Sequence, residues 1–384
     1  MNKGIHTNGM SNLKKENRKQ WNIHDQTNDG NNVVVDLGIK RTPLEQWMQT
    51  VAMVFFLFLV LQLMLGINAY VLYHLLYYTK EWWFVTSLYA VWWAYDYNTC
   101  NTGGRRWNWL RNLFIWKYTC NYFPIRLVKT ADLDPNRNYI CGSHPHGLCC
   151  MGVGQFALTP HLQREKVFPD IYFRMLAHRE LYFFPGLREF MLGMGLSAAT
   201  KENLDAILGN MHEGRRSTGQ ATIVVVGGSR EVISADTTDR IVLSILKRKG
   251  FIVKALQYGA DLVPMFTFNK AFLANPMFFT TFVFPTTCVV VWEWLVSTIQ
   301  CPLPYFIGRG IFLLSFGLLP KRLPLTVVVG KPINVEEFGI PRGGCQPTQK
   351  QVDNVHAAYL KALRDIYDQY NPIYGRKHTP LVFG

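Results

Sequence analysis

Two histidines, His144 and His146, flank Pro145 in the stretch YICGSHPHGLCC, residues 139–150. An imidazole titrates near neutrality, so it can take the proton of an alcohol while that oxygen attacks a carbonyl. Pro145 fixes its own φ and pushes the residue before it toward extended backbone, which holds the two rings apart on a stiff support. Gly147 lets the chain turn closely into the helix-like LCCMGVGQFAL. The pattern reads as a general base for acyl transfer. Three other readings stand beside it. Zinc needs three or four ligands; Cys149 and Cys150 are awkwardly adjacent and no second ligand pair stands nearby. A nucleophilic route through Ser143 or Cys149 lacks the G-x-S-x-G elbow. A purely structural His-Pro-His turn is the last.

The elements that must position these rings are legible as patterns. Short apolar runs ending in glycine or polar residues, NYICG, ATIVVVGG, DLVPMFTF and LTVVVG, predict buried strands. In open α/β sheets ligands collect beyond the carboxyl ends of such strands, where the histidines fall. Between the strands lie helical patterns. Leu204, Ile207, Leu208 and Met211 share one face of a helix that Gly214 would stop. Val352, Val355, Tyr359, Leu363, Ile366 and Tyr370 line one face of a long C-terminal helix, with Thr348 and Gln351 spaced as a capping box. Strands alternating with helices predict an α/β domain with a mostly parallel sheet.

Other groups could serve the same chemistry. Glu231 follows the turn Gly227–Gly228 at a strand end and could orient an imidazole as a carboxylate does in a triad. Arg188 and Glu189 follow a Pro-Gly pair, and Arg248 and Lys249 lie in the basic run LKRKG. Glycine turns and arginines at strand ends suit phosphate or pantetheine groups, although a basic run also reads as a solvated face. An acyl thioester is already activated, so no covalent enzyme intermediate is needed. The GVG at 152–154 lacks the context of a dinucleotide fingerprint.

Composition narrows the partners. The net charge is +14, yet the basic residues are dispersed and no nucleic-acid module is present. A membrane surface or a phosphorylated substrate fits this balance better. The eight cysteines form neither a disulfide framework nor paired C-x-x-C motifs. Residues 1–42 are polar and Asn-rich and read as a disordered cytosolic tail. Residues 50–78 carry no formal charge, long enough to span ~20 residues of hydrocarbon. A second run from 82 is shorter and aromatic, with Trp82, Trp83, Trp92 and Trp93 suited to an interface. Basic residues outside both runs predict a membrane hairpin over 43–100 with both ends cytosolic. A globular domain should occupy 118–375. Within it, 271–307 holds one charge, Glu293, and several prolines, which reads as a membrane-associated lobe or a buried insertion.

Taken in order, NYFPIRLVKT, HPHG, LREFMLGMG, VVVGG with Glu231, RKGF, GADLVPMF, GRG and SFGLLPKRLPLTVVVGKPI resemble the type-2 diacylglycerol acyltransferase family, which includes monoacylglycerol and wax-alcohol acyltransferases. The resemblance spans about residues 45–375. It implies an α/β acyltransferase-like domain behind a membrane-embedded helical hairpin. It implies a multi-pass protein of the endoplasmic reticulum membrane and lipid droplets, with cytosolic termini, and leaves a homo-oligomer open. The implied reaction moves a fatty acyl group from acyl-CoA, a co-substrate with no further cofactor, to the free hydroxyl of diacylglycerol. Monoacylglycerol or a long-chain alcohol is the alternative acceptor, and a catalytically silent lipid binder the alternative of another class. His144 and His146 are implied as active-site residues, with Pro145, Gly147, Tyr122, Phe123, Pro124, Arg188, Gly227, Gly228, Arg248 and Lys249 assigned to substrate binding. Distant glycerolipid acyltransferases use a His-x4-Asp pair; here Cys149 stands at that position, so the carboxylate must come from elsewhere, Glu231 first and Glu189 second. After the paired glycines the chain departs from the family, with Arg230, Asp236 and Asp239 in a normally small or basic stretch, which bears on acceptor specificity.

Overall fold

A computed structural model describes residues 23–25, 33–36, 42–77, 79–146, 150–209, 219–228, 231, 240–269, 309–311, 319–375 and 379–384. The expected lobe at 271–307 and the departures at 230, 236 and 239 lie outside these residues.

The four apolar runs form the middle of one nine-stranded sheet. Its strands are β1 (Ile23–Asp25), β2 (Val33–Asp36), β3 (Ile125–Lys129), β4 (Tyr139–His144), β5 (Tyr172–Ala177), β6 (Leu196–Ala198), β7 (Gln220–Val225), β9 (Asp261–Asn269) and β10 (Leu325–Val329). The spatial order is β1-β2-β3-β10-β9-β4-β7-β5-β6. From β9 to β6 every pairing is parallel. The turn of direction comes at β9–β10, which is antiparallel. A separate parallel pair joins β8 (Ile241–Leu243) to β11 (Leu381–Phe383). All six residues of β4 are buried, as expected of a strand covered on both faces. Residues 1–42 contribute β1 and β2, and β2 continues the sheet beside β3. The β-branched run Val33–Val35 favours that pairing over the solvated state its polar neighbours suggest.

Two apolar layers cover the sheet. One gathers Phe156, Phe168, Phe173, Trp116 and Met265, with helices α4 (Asn108–Arg111), α5 (Ile115–Tyr122) and α6 (Met151–Leu158). The other gathers Ile140, Leu256, Phe266, Tyr359 and Leu363 beneath α9 (Gly250–Tyr258) and α10 (Gln349–Tyr374). α10 begins as the sequence predicts. Thr348 Oγ1 accepts from the Gln351 amide and the Gln351 side chain accepts from the Thr348 amide, so two orphan donors are satisfied together. The predicted apolar stripe, Val352 to Tyr370, is its buried face. The helix that carries Leu204, Ile207 and Leu208, α8 (Lys201–Gly209), ends before Met211, which lies outside the described residues.

Ahead of the domain run α1 (Pro43–Leu61), a π-helical turn (Gln62–Gly66), α2 (Ile67–Tyr77) and α3 (Thr79–Asp96). Among the described residues one helix, α1, is long and apolar enough to cross a membrane. This segment leaves a broad apolar surface exposed, including Phe58, Leu72, Phe84, Val91 and Tyr95. Apolar surface on that scale marks a membrane or partner face. The opposite side is docked. Phe56 packs edge-on against Trp116, 6.1 Å between centroids. Thr50 receives Arg309 and Arg322 at 2.9 and 2.6 Å. At the π turn, Asn68 Nδ2 donates to the carbonyls of Leu63 and Pro185 at 2.9 and 3.5 Å, tying the segment to the loop before α7 (Leu187–Met194).

That same loop explains Arg188 and Glu189. The Arg188 side chain is 1 % exposed and bonds Asp96 at the end of α3 at 2.6 Å. It also bonds Glu189 at 3.0 Å. Glu189 caps α7 through the Gly186 amide (2.9 Å) and accepts from Tyr89 of α3 (3.1 Å). Both residues clamp the apolar segment onto the domain. Breaking a buried ion pair leaves an uncompensated charge, so Arg188→Met should cost about 3 kcal/mol. Urea unfolding of the purified protein should show that loss, while the KM for the acyl donor stays within about twofold; a raised KM at unchanged stability would return Arg188 to the substrate.

Candidate active site

β4 delivers His144 as its last residue, and the chain leaves the sheet at Pro145. The ring of His144 is fully buried. Its Nε2 lies 3.2 Å from the hydroxyl of Tyr359 on α10. Tyr359 has a single proton, which it donates to the Gly142 carbonyl at 3.0 Å. The hydroxyl oxygen is therefore left to accept, so Nε2 of His144 is the donor and carries the hydrogen. Nδ1 then has a lone pair. It has no hydrogen-bond partner among the described residues and stands 3.9 Å from Glu231 Oε1.

His146, two residues on, is partly exposed. Its Nδ1 lies 3.6 Å from Cys150 Sγ. Burial, and then the charge of Glu231, push the Cys150 thiol up to about 12, so it stays protonated at neutral pH. Cys150 itself adopts left-handed backbone, φ 49°, as the residue preceding α6. Non-glycine residues take that conformation at a cost that active sites commonly carry.

Glu231 joins the two histidines. The residue is 2 % exposed. One carboxylate oxygen accepts from the His146 backbone amide at 2.9 Å and the other from the Ser244 amide at 3.1 Å. A buried carboxylate is tolerated where charge-assisted bonds replace water in this way. Gly227, at the end of β7, makes room for it: a Cβ there would fall 1.7 Å from the Glu231 carboxyl carbon. Gly228 takes φ +54°, and Arg248 stands beside it while donating to the Val226 carbonyl at 3.0 Å.

The residues singled out from sequence thus divide. His144, His146, Glu231, Gly227, Gly228 and Arg248 converge at the carboxyl ends of β4 and β7, with Pro145 between the rings. Lys249 is paired with Asp353 at 2.6 Å on the surface. Tyr122, Phe123 and Pro124 lead into β3, where Tyr122 is buried, donates to the Pro320 carbonyl and lies under Arg309 and Arg322. The same two arginines donate to Thr50 of α1, so Tyr122 supports the docking of that helix. Arg188 and Glu189 belong to the clamp described above, and Gly147 and Cys149 lie outside the described residues.

Tyr359 is the partner of His144 that sequence reasoning missed; its helical spacing assigned it to the core face alone. A glycine inside the strand run, Gly142, was the available signal, since strand glycines mark close approach. A Cβ at Gly142 would stand 2.0 Å from the Tyr359 hydroxyl. Tyr359→Phe should therefore cost about 1–3 kcal/mol of stability through the unsatisfied groups it leaves. Gly142→Ala should be damaging alone and partly rescued by Tyr359→Phe, readable as non-additivity in paired melting curves.

Buried acid–base groups thus meet at a strand end of a sheet whose preceding helices carry an exposed apolar face. The family model described as "Diacylglycerol acyltransferase" matches residues 74–384. The chain is 34 % identical to 2-acylglycerol O-acyltransferase 1 of Mus musculus, over 91 % of this chain and 100 % of that protein. It is 35 % identical to Diacylglycerol O-acyltransferase 2 of Mus musculus, over 78 % and 74 %. The corresponding protein of Danio rerio is 34 % identical over 79 % and 80 %. This chain belongs to the diacylglycerol acyltransferase family and is an acyltransferase.

Proposed function

We propose that this enzyme transfers a fatty acyl group from acyl-CoA to the free hydroxyl of diacylglycerol, forming triacylglycerol. The observation that carries the reading is the junction of His146, His144 and Glu231 at one strand end. His146 is the partly exposed ring and acts as general base. Its Nε2 takes the acceptor proton, with Nδ1–H directed at the Cys150 sulfur. The acceptor oxygen attacks the thioester carbonyl; the C–S bond breaks, and CoA leaves as a thiol on receiving that proton. Glu231 fixes the His146 backbone and stands 3.9 Å from His144 Nδ1. The protonated thiol of Cys150 supports direct transfer without a cysteine acyl intermediate. Arg248, at the Gly227–Gly228 turn, is placed to meet the phosphates of CoA. The exposed face of α1–α3 supports residence in the endoplasmic reticulum membrane as a hairpin with cytosolic ends, from which the acceptor reaches the site laterally.

A second reading, transfer to a monoacylglycerol, is favoured by one observation: the match to a 2-acylglycerol acyltransferase runs the full length of that protein. CoA release should be followed with oleoyl-CoA and, separately, diacylglycerol, 2-monoacylglycerol and hexadecanol. Highest kcat/KM with diacylglycerol supports the first reading, and with 2-monoacylglycerol the second. Acyl-CoA binding without CoA release from any acceptor would overturn both in favour of a silent lipid binder.

A further inference from the structure

A cavity of about 280 Å³ lies beside β5 and β7, away from the histidines. Its walls are Arg105, Arg106 and Arg174, with Tyr172, Gln220 and the Gly103–Gly104 turn. Tyr172 and Gln220 open their strands, whereas His144 ends β4 in the same parallel array. Six residues of strand, roughly 20 Å, separate the two places.

Among the described residues its walls carry three arginines and no carboxylate. The Arg106 guanidinium lies 3.7 Å from the centre of the Tyr172 ring, and that of Arg174 lies 5.0 Å from it. Arg106 donates to the Phe173 carbonyl, and Arg174, a buried side chain, donates to the Gly103 carbonyl at 2.5 Å. Burial pushes Arg106 well below the usual guanidinium range; Tyr172 opposes this, and the like charges of Arg111, Arg174 and Arg164 add smaller downward pushes. Arg105 bonds Asp96 through Nη1 at 2.8 Å. Its Nε and Nη2 are buried and have no hydrogen-bond partner among the described residues. Buried guanidinium nitrogens without an acceptor, as Nε and Nη2 of Arg105 are among the described residues, cost stability unless one enters. Planar guanidinium forks match the oxygens of a phosphate.

We propose that this cavity is a second, non-catalytic binding site for a phosphate group. Its surroundings place it beside the apolar segment. Arg105 also lies over the rings of Trp92 of α3 and Trp107, at 5.4 and 5.2 Å, and Trp107 stacks with the exposed Trp109. Tryptophans concentrate at the level of lipid headgroups, so the phosphate can arrive on a lipid or free in solution. Occupancy would fix the end of α3 to the β5–β7 side of the sheet.

The test is melting of the full-length protein. In detergent, inorganic phosphate is compared with chloride at equal ionic strength. In phosphatidylcholine nanodiscs, added phosphatidic acid is compared with added diacylglycerol. The expected result is a saturable rise in melting temperature in at least one arm. The phosphate midpoint should move to at least ~10-fold higher concentration in Arg174→Gln, in line with loss of a charge-assisted bond. Arg105→Gln, whose side chain is more exposed, serves should Arg174→Gln fail to fold. A rise in both arms defines a site for the phosphate group whatever its carrier, and a rise with phosphatidic acid alone defines a headgroup site. No rise in either arm, or the same rise in the arginine variants, overturns the proposal. A several-fold higher KM for acyl-CoA in Arg105→Gln would also overturn it, by assigning the cavity to the co-substrate.

Discussion

His146→Ala should lower turnover by about 10²–10⁴-fold, the range lost when a positioned proton acceptor is removed. Acyl-CoA should still bind within about threefold of its original affinity. The separation follows from the geometry. The His146 ring is partly exposed, whereas that of His144 is fully buried, so its removal should disturb less packing. His144→Ala differs in kind. It empties a fully buried position and strands the Tyr359 hydroxyl, so stability and activity should fall together. Single-turnover CoA release, run beside a binding assay and a melting curve, separates the two. Retained turnover in folded His146→Ala would remove this residue as the base.

Glu231→Gln is expected to be as severe in turnover, at about 10²-fold or more, for a different reason. Both Glu231 oxygens accept from backbone amides, those of His146 and Ser244. A glutamine keeps one acceptor and turns an NH2 group toward the other amide, so a donor meets a donor in a buried place. The cost is about 1–3 kcal/mol, and the loop carrying His146 loses its anchor. Gly227→Ala should reproduce this with Glu231 itself unchanged, because the new Cβ, 1.7 Å from the carboxyl carbon, would displace it. Agreement of the two variants in kcat loss and in protease sensitivity near residue 146 would establish that Glu231 acts by position. Full activity in folded Gly227→Ala would refute that account.

Much of this was legible beforehand. The strand runs, the capping box at Thr348 and Gln351 and the buried stripe of the last helix all rest on local patterns. Periodicity and capping are properties of a few consecutive residues, and they survive into the fold. The assignment of Arg188 and Glu189 to substrate and acid chemistry was another matter. Charge next to a Pro-Gly turn looks the same whether it faces a ligand or a neighbouring helix. Only the approach of α3, with Asp96 and Tyr89, reveals a clamp. The three arginines of the second cavity were equally silent, since Arg105 and Arg106 lie about seventy residues from Arg174 and no spacing rule connects them.

The sequence by itself determined the class of domain, the histidine pair on its rigid proline, and the apolar segment ahead of the sheet. Composition and short-range spacing carry that information directly. The tertiary structure alone decided which histidine is accessible, that Tyr359 sets the His144 tautomer, and that Gly227 opens a seat for Glu231. Those facts depend on residues far apart in the chain meeting at the end of one parallel sheet. There, burial and single hydrogen bonds fix what each group can do.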